Sequence, residues 1–511
     1  MAEEIRGSKV LITITVMFAA LMAVLDISIV NVALTDIRAS FGTPIDQIAW
    51  VSTGYMMANI VVIPMTGWLQ RKFGYRRYFA VSILIFTGAS ALCGAAWNLP
   101  SLVIFRVLQG LGGGAVIPTS QAILFARYPR EEHGMAGAMF GLGAVTGPLL
   151  GPTLGGYLID RFSWHWIFLI NVPVGLLVAF MSFRVIEQPA FKPTREPIDF
   201  WGIGLLAVGM ATLQYVLEEG NREGWDSPLI ICLGTVSGIA LITFVVHELE
   251  SDHPVVDLRV FKNRSYSAAT GINFLTGTAL FSSTFLFSLY CGAVMHYSAL
   301  DIGILFLKGS FIQLLVFPLV GKFNGKIDQR LMIGFGVAVM CLSIWFNAHL
   351  TDAADQATMI QPIFIRSLGL GFIFVPLSVV ALSDLPPNQR GNAAGLFNLT
   401  RELGGSIGTA FMSFQLDRLT KGYYSYLAEK VNVYDATTLD QLQAMRGALN
   451  GRVSDPGAAA QLILSGRISM QALIRAFNDD FMQLVFIFFL GIFLTLLIKK
   501  ARPFTAPAGV H

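Results

Sequence analysis

Runs of about twenty apolar residues, the length a helix needs to cross hydrocarbon, alternate along this chain with short connectors rich in Gly, Pro and charge. They lie near 9–31, 47–70, 77–97, 101–124, 134–158, 165–186, 198–218 and 228–249, and then near 266–291, 301–322, 330–349, 359–383, 391–416 and 480–499. The pattern predicts an all-α membrane protein with fourteen transmembrane helices. One polar stretch interrupts it, residues 417–479, where Leu442, Met445 and Leu449, then Leu462 and Ile463, recur at the spacing of short amphipathic helices.

Composition agrees. The 511 residues are 54% hydrophobic and 13% charged, with a mean hydropathy of +0.63; soluble domains carry roughly 25% charged residues. A net charge of +3 gives no bulk preference for nucleic acid, which is not expected as a partner. The four cysteines and seven histidines are scattered, with no CxxC or HExxH, so no metal is expected. No GxxxxGK[ST] loop is present to bind ATP. A short polar start leads into the first run with no small-residue cleavage site after it, which predicts a retained signal anchor.

Basic residues orient the spans. With the N-terminus in the cytoplasm, 21 of the 35 Lys and Arg fall in cytoplasmic segments, among them Arg71, Lys72, Arg76, Arg77, Arg127 and Arg130. Only Arg38, Arg161 and Arg222 fall in short outer loops, and seven lie in 417–479. Both termini are therefore expected in the cytoplasm. The remaining four, Arg106, Lys308, Arg366 and Arg401, are inside spans.

Three windows recur in order. Pro64-Met-Thr-Gly67 matches Pro318-Leu-Val-Gly321, Arg106-Val-Leu-Gln-Gly-Leu-Gly112 matches Arg366-Ser-Leu-Gly-Leu-Gly371, and Gly134-Met-Ala-Gly-Ala-Met-Phe140 matches Gly391-Asn-Ala-Ala-Gly-Leu-Phe397. The offsets are 254, 260 and 257. This predicts a six-helix half over 1–190, two inserted helices over 191–255, and a second six-helix half over 256–511 that carries 417–479 as an extracytoplasmic segment. Two parallel halves with a site between them is a transporter architecture.

Acidic residues inside spans are costly and therefore functional by default. Asp26 and Glu402 lie well inside. Beside Arg106, Asp26 can change protonation as a cavity opens and closes, which makes it the candidate proton carrier with Arg106 as modulator; a static ion pair is the plainer alternative. Glu402, with Arg401, is a second candidate for proton coupling. Lys308 is either a contact for a substrate carboxylate or a cation snorkelling to the interface. Asn31, Tyr55, Asn59, Gln214, Tyr290 and Asn398 are polar positions within spans that could reach a substrate cavity. Gly143, Gly147, Gly151, Gly155 and Gly156, with Pro148 and Pro152, give the fifth span one smooth face. That face is a static helix contact or, given the repeat, a sliding contact between halves.

These motifs resemble the major facilitator superfamily, in its fourteen-helix drug:proton antiporter branch of EmrB/QacA type. Leu25-Asp26-Ile-Ser-Ile-Val-Asn31-Val-Ala-Leu34 is similar to the branch's first-helix signature. Arg106-x2-Gln109-Gly110-x-Gly112 resembles the fourth-helix motif, and Gly147-Pro148-x2-Gly151-Pro152-x2-Gly155-Gly156 the antiporter motif. Phe168-Leu-Ile-Asn171-Val-Pro173-Val-Gly175 and Ser406-Ile-Gly408-Thr409 also look like the branch. The resemblance implies a multi-pass inner-membrane antiporter that exports amphiphilic drugs or toxic compounds, driven by the proton motive force with no cofactor. It implies a periplasmic membrane-fusion adaptor and an outer-membrane channel as partners, with 417–479 as a dock. One motif departs. In Gly67-Trp-Leu-Gln-Arg71-Lys72-Phe-Gly74-Tyr-Arg76-Arg77, Arg71 stands where the superfamily usually has Asp, so the cytoplasmic gate of Gly67, Arg71, Gly74 and Arg76 is expected to latch differently or more weakly.

A narrower exporter of one anionic metabolite, such as a siderophore, fatty acid or lysolipid, is the alternative within transport. A membrane enzyme or receptor would need a convergent catalytic cluster, and the sequence offers none.

Overall fold

The structure, a computed structural model, describes residues 4–186, 198–383, 385–431 and 436–498. The boundary expected near 190, the basic residues Lys192, Arg195, Lys499, Lys500 and Arg502, and the side chains of Pro148 and Pro152 lie outside the described residues. Among the described residues, fourteen long helices follow the fourteen apolar runs. They are α1 (Glu4–Phe41), α2 (Trp50–Phe73), α3 (Tyr75–Gly94), α4 (Leu99–Arg127), α5 (His133–Arg161), α6 (Trp166–Leu169 and Asn171–Val185) and α7 (Phe200–Glu223). Next come α8 (Pro228–Glu250), α9 (Arg264–Ala293), α10 (Ala299–Ser310 and Gln313–Phe323), α11 (Gln329–Asn347), α12 (Gln356–Leu382), α13 (Pro387–Lys430) and α14 (Pro456–Thr495). A further helix, Ala436–Leu449, joins the last two.

Helices are the form that satisfies every backbone donor and acceptor without water, and their ends carry side-chain caps. Asn98 and Ser101 form a capping box at α4, while Asp328 and Asp355 cap α11 and α12. Gly74, at a φ of 79°, makes the turn between α2 and α3 that a side chain would strain.

Among the described residues, eleven helices are long and apolar enough to cross a membrane by length and composition alone. The three long helices outside that set are α2, α5 and α13, and each has one face against protein. Within the first six helices α1 packs on α5, α2 on α4, and α3 on α4 and α6. Within the last six α9 packs on α13 and α14, and α11 on α12 and α14. The groups meet where α2 faces α13 and α5 faces α10 and α12. A helix that faces another helix can carry Gly, Asn and charge where a lipid-facing one carries Leu and Phe. Helices α7 and α8 pack on each other, and α7 reaches both α2 and α13.

The expectation of short amphipathic helices over 417–479 needs correction. Apart from Ala436–Leu449, this segment continues the spans themselves: α13 runs unbroken to Lys430 and α14 starts at Pro456. The polar residues that end an apolar run need not end a helix.

Candidate functional site

Among the described residues, two polar clusters inside the helical body bear on the candidate site. The first belongs to α1, α3, α4 and α6. Asp26 is fully buried, and its carboxylate accepts from Arg106 Nη1 (2.6 Å), Gln109 Nε2 (2.9 Å) and Asn171 Nδ2 (2.8 Å). Arg106 is 1% exposed; it also donates Nε–H to the Val51 carbonyl (3.0 Å) and Nη1 to Gln109 Oε1 (2.7 Å), and its guanidinium lies 4.2 Å from the Tyr55 ring centroid. Ser90 closes the network, accepting from Gln109 (3.1 Å) and Asn171 (3.2 Å) and donating to the Phe168 carbonyl (3.0 Å). The carboxylate thus meets only donors, one of them cationic, which complements negative charge with charge-assisted bonds. Gly110 sits on the same helix face and lets α4 close on the Tyr55 backbone.

The second cluster lines a cavity between α1, α2, α4 and α13. Asn59, Asn398, Arg401 and Glu402 supply its polar wall, and Ile27, Met56 and Ile63 its apolar one. Arg401 Nη2 stands 3.4 Å from Glu402 Oε1, and its guanidinium lies 5.5 Å from the Phe374 ring centroid. Asn398 donates to Gln121 Oε1 of α4 (2.7 Å), a bond between the two helix groups. Apolar walls with a few convergent polar groups are the lining an amphiphilic ligand requires, though in this conformation the cavity has closed to about 20 Å³, room for about one water.

The cavity is closed at the end that carries the Arg71–Arg77 loop. A Cβ on Gly67 would fall inside the Asn392 backbone, and one on Gly395 would stand 2.7 Å from the Ile63 carbonyl oxygen. Asn392 exchanges two bonds with the Asp257 backbone (2.8 and 3.1 Å), and Arg390 Nη1 donates to the Phe125 carbonyl (2.9 Å). Arg71 reaches the Pro254 carbonyl (3.5 Å), and Arg76 is half-buried beside the Gly74 turn. Closure here rests on backbone contact at glycine. At the start of α5, His133 Nε2 bonds the Tyr128 carbonyl (3.1 Å), so this nitrogen is the donor and Nδ1 is left to accept from Ser383 of the facing group (2.7 Å). Burial, and then the charge of Arg390, hold its imidazole below the usual histidine range.

The other expected contacts scatter. Asn31 is exposed and accepts from Ser52 (3.2 Å), Gln214 is buried in α7 against Glu218 (2.8 Å), and Tyr290 is buried against Phe477 with ring centroids 5.4 Å apart. Lys308 is exposed and does not line the cavity. The glycine face of α5 corrects the expectation of a sliding contact between halves. Gly143, Gly147, Gly151 and Gly155 all lie against α1, at Met17, Leu25, Ser28 and Ile29. It is Gly134 and Gly141, on another face, that meet Gly321, Asn324, Phe317 and Phe374 of the second group. Gly156 has only Leu300 near it, at 3.8 Å. Four-residue spacing fixes which glycines share a face, but it does not say which helix that face meets.

Sequence reasoning missed the cluster roles of Asn171 and Ser90, although Asn171 stood in a quoted motif. It also missed Asp480. Because α14 runs on from Pro456, Asp480 lies in mid-helix, fully buried, with neither carboxyl oxygen hydrogen-bonded.

The comparisons with known proteins agree with this architecture. The profile of the Major Facilitator Superfamily matches residues 16–409. The chain is 34% identical over 496 residues to the multidrug export protein EmrB of Haemophilus influenzae, covering 97% of this chain and 96% of that one. It is 31% identical over 506 residues to the fatty acid resistance protein FarB of Neisseria gonorrhoeae, covering 98% and 97%. Its fold is similar to that in the crystal structure of the human organic anion transporter MFSD10 (TETRAN), with a TM-score of 0.62 at 13% identity, over 95% of this chain and 99% of that one.

Proposed function

This chain belongs to the major facilitator superfamily and is a multi-pass membrane protein, and from that premise we propose that it is a proton-driven exporter of amphiphilic compounds. It moves its cargo by alternating access, rocking a half over 1–190 against a half over 256–511, with 191–255 as an inserted pair. The observation that carries this reading is the cavity between the helix groups, where Glu402, Arg401, Asn59 and Asn398 face Ile27, Met56 and Ile63. Such a lining suits molecules that carry both a charge and an apolar body. Resistance and export are also what the relatives' names describe.

Asp26 is the proton carrier in this reading, Arg106 its modulator, and Glu402 with Arg401 the acid that meets cargo and proton in the cavity. Drive comes from the proton motive force and no cofactor takes part. The distribution of basic loops supports a cytoplasmic closed end and cytoplasmic termini, and in this reading the membrane is the inner membrane of the cell. The extensions of α13 and α14 then project outward, where a periplasmic membrane-fusion adaptor leading to an outer-membrane channel docks. Deleting 425–470 should abolish co-purification of such an adaptor.

The deciding measurement is cargo-induced proton movement in proteoliposomes across a panel of amphiphiles. Wild type should move protons on addition of cargo. Asp26→Asn keeps an oxygen that can accept from Arg106 but not the charge, so it should fold with reduced stability and bind cargo while losing coupling; full proton-coupled transport by that variant would sink Asp26 as carrier. A second reading, export of an anionic metabolite of fatty-acid type, draws on the likeness to the fatty acid resistance protein.

A further inference from the structure

The repeat places Arg366 of α12 at the position of Arg106 of α4, 260 residues on, and Thr284 of α9 at the position of Asp26 of α1, 258 residues on. The geometry follows the register. Arg106 pairs with Asp26 and lies over an aromatic ring of α2, Tyr55. Arg366 Nη1 donates to Thr284 Oγ1 (2.8 Å), and its guanidinium lies 5.2 Å from the centroid of an aromatic ring of α10, Phe306. One frame is built twice, and the second copy has a hydroxyl where the first has a carboxylate.

The second arginine is therefore short of one anion. Arg366 is 7% exposed, its Nε has no hydrogen-bond partner, and among the described residues no carboxylate pairs with it. A buried guanidinium offers five donors and no acceptors, and leaving such a charge uncompensated is costly. With Nη1 taken by Thr284, the free edge is Nε with Nη2, a fork that fits the two oxygens of a carboxylate. Thr284 and Phe306 beside it are both half-buried, while the Nε edge itself is covered in this conformation, so a ligand reaches it only as the helices around it shift.

We propose that Arg366 is the recognition point for the carboxylate head of an amphiphilic cargo, held by the Nε–Nη2 edge with the first methylenes beside Phe306. The proposal rests on the exporter reading and adds a cargo class to it: the second helix group takes from its cargo the charge that Asp26 supplies in the first. Cationic amphiphiles gain nothing at this arginine, and they differ from anionic ones in how they depend on it.

The test compares decanoate with decyltrimethylammonium, which carry chains of the same length, binding to the purified full chain in phosphatidylcholine nanodiscs. Arg366→Gln should shift the ratio of the two affinities at least tenfold against decanoate, about 1.4 kcal/mol. Thr284→Asp rebuilds the Asp26 arrangement, keeps the arginine paired inside the fold, and should shift the ratio in the same direction even if Arg366→Gln fails to fold. An unchanged ratio in both variants, or no decanoate binding by wild type, overturns the proposal. Failure of the exporter reading is distinct: decanoate would bind through Arg366, yet neither cargo would move protons in proteoliposomes.

Discussion

Arg106 and Arg366 are buried to nearly the same degree, 1% and 7% exposed, at matching places in the two helix groups, yet only one has its counter-charge built in. Arg106 is bonded to a carboxylate, an amide oxygen and a backbone carbonyl, whereas among the described residues Arg366 has one bonded partner, a hydroxyl. The difference separates two uses of a buried charge. A paired one fixes the geometry of its neighbours, and its loss is felt by the whole bundle. An unpaired one is a cost to the resting structure and keeps its interaction free energy for something that arrives later.

Asp26→Ala should show the largest effect, because it strands Arg106 in a buried site: about 3–5 kcal/mol of stability, read as a fall in the thermal transition of the purified protein. Adding Arg106→Leu should recover most of that loss. If the single and double variants are equally unstable, charge pairing is not what holds α1 to α4. Next in size is Gly67→Ala, which puts a methyl group into the Asn392 backbone and should cost roughly 1–3 kcal/mol, specifically in the closed conformation. Cysteine accessibility at the basic end should rise in this variant, and not in Gly147→Ala, whose contact is with α1 of its own group. Arg366→Met should leave stability unchanged or raise it, since an apolar side chain of similar reach removes an uncompensated buried charge. A loss as large as that of Asp26→Ala would erase the contrast between the two arginines.

The smallest effect concerns pH at the closed end. His133 titrates below the usual histidine range while the end is closed. Its contribution to closure is therefore present above the ordinary histidine value of about 6.5 and is lost as pH falls below it. Accessibility at the basic end should increase modestly on acidification and lose that dependence in His133→Gln.

The helices, their number and the internal repeat were legible because each rests on a periodic or one-dimensional signal. The pairing of Asp26 with Arg106 was legible too, since an acid and a base inside apolar runs are costly unless they meet. What could not be read were directions in space. The glycines of α5 declared a face, but only packing put that face on α1. Tyr290 and Gln214 were as polar as Asn59 and Asn398, and helix rotation alone sent the first two away from the cavity. Arg366 was visible as a repeat partner of Arg106; that Thr284 takes the place of Asp26 beside it needed both sites in three dimensions. Asp480 was missed for another reason, because hydropathy marks where lipid ends and is silent on where a helix does.

The unbroken course of α13 has a mechanical consequence. Its 44 residues begin at the glycine contact of the closed end and finish beyond the apolar part of the bundle, a rod of about 66 Å at 1.5 Å per residue. A stiff rod pivoting by about 10° at one end displaces the other by roughly 11 Å over that length. Release of Gly67 from Asn392 is then reported, as a lateral stroke, on the far side of the membrane from where it happens.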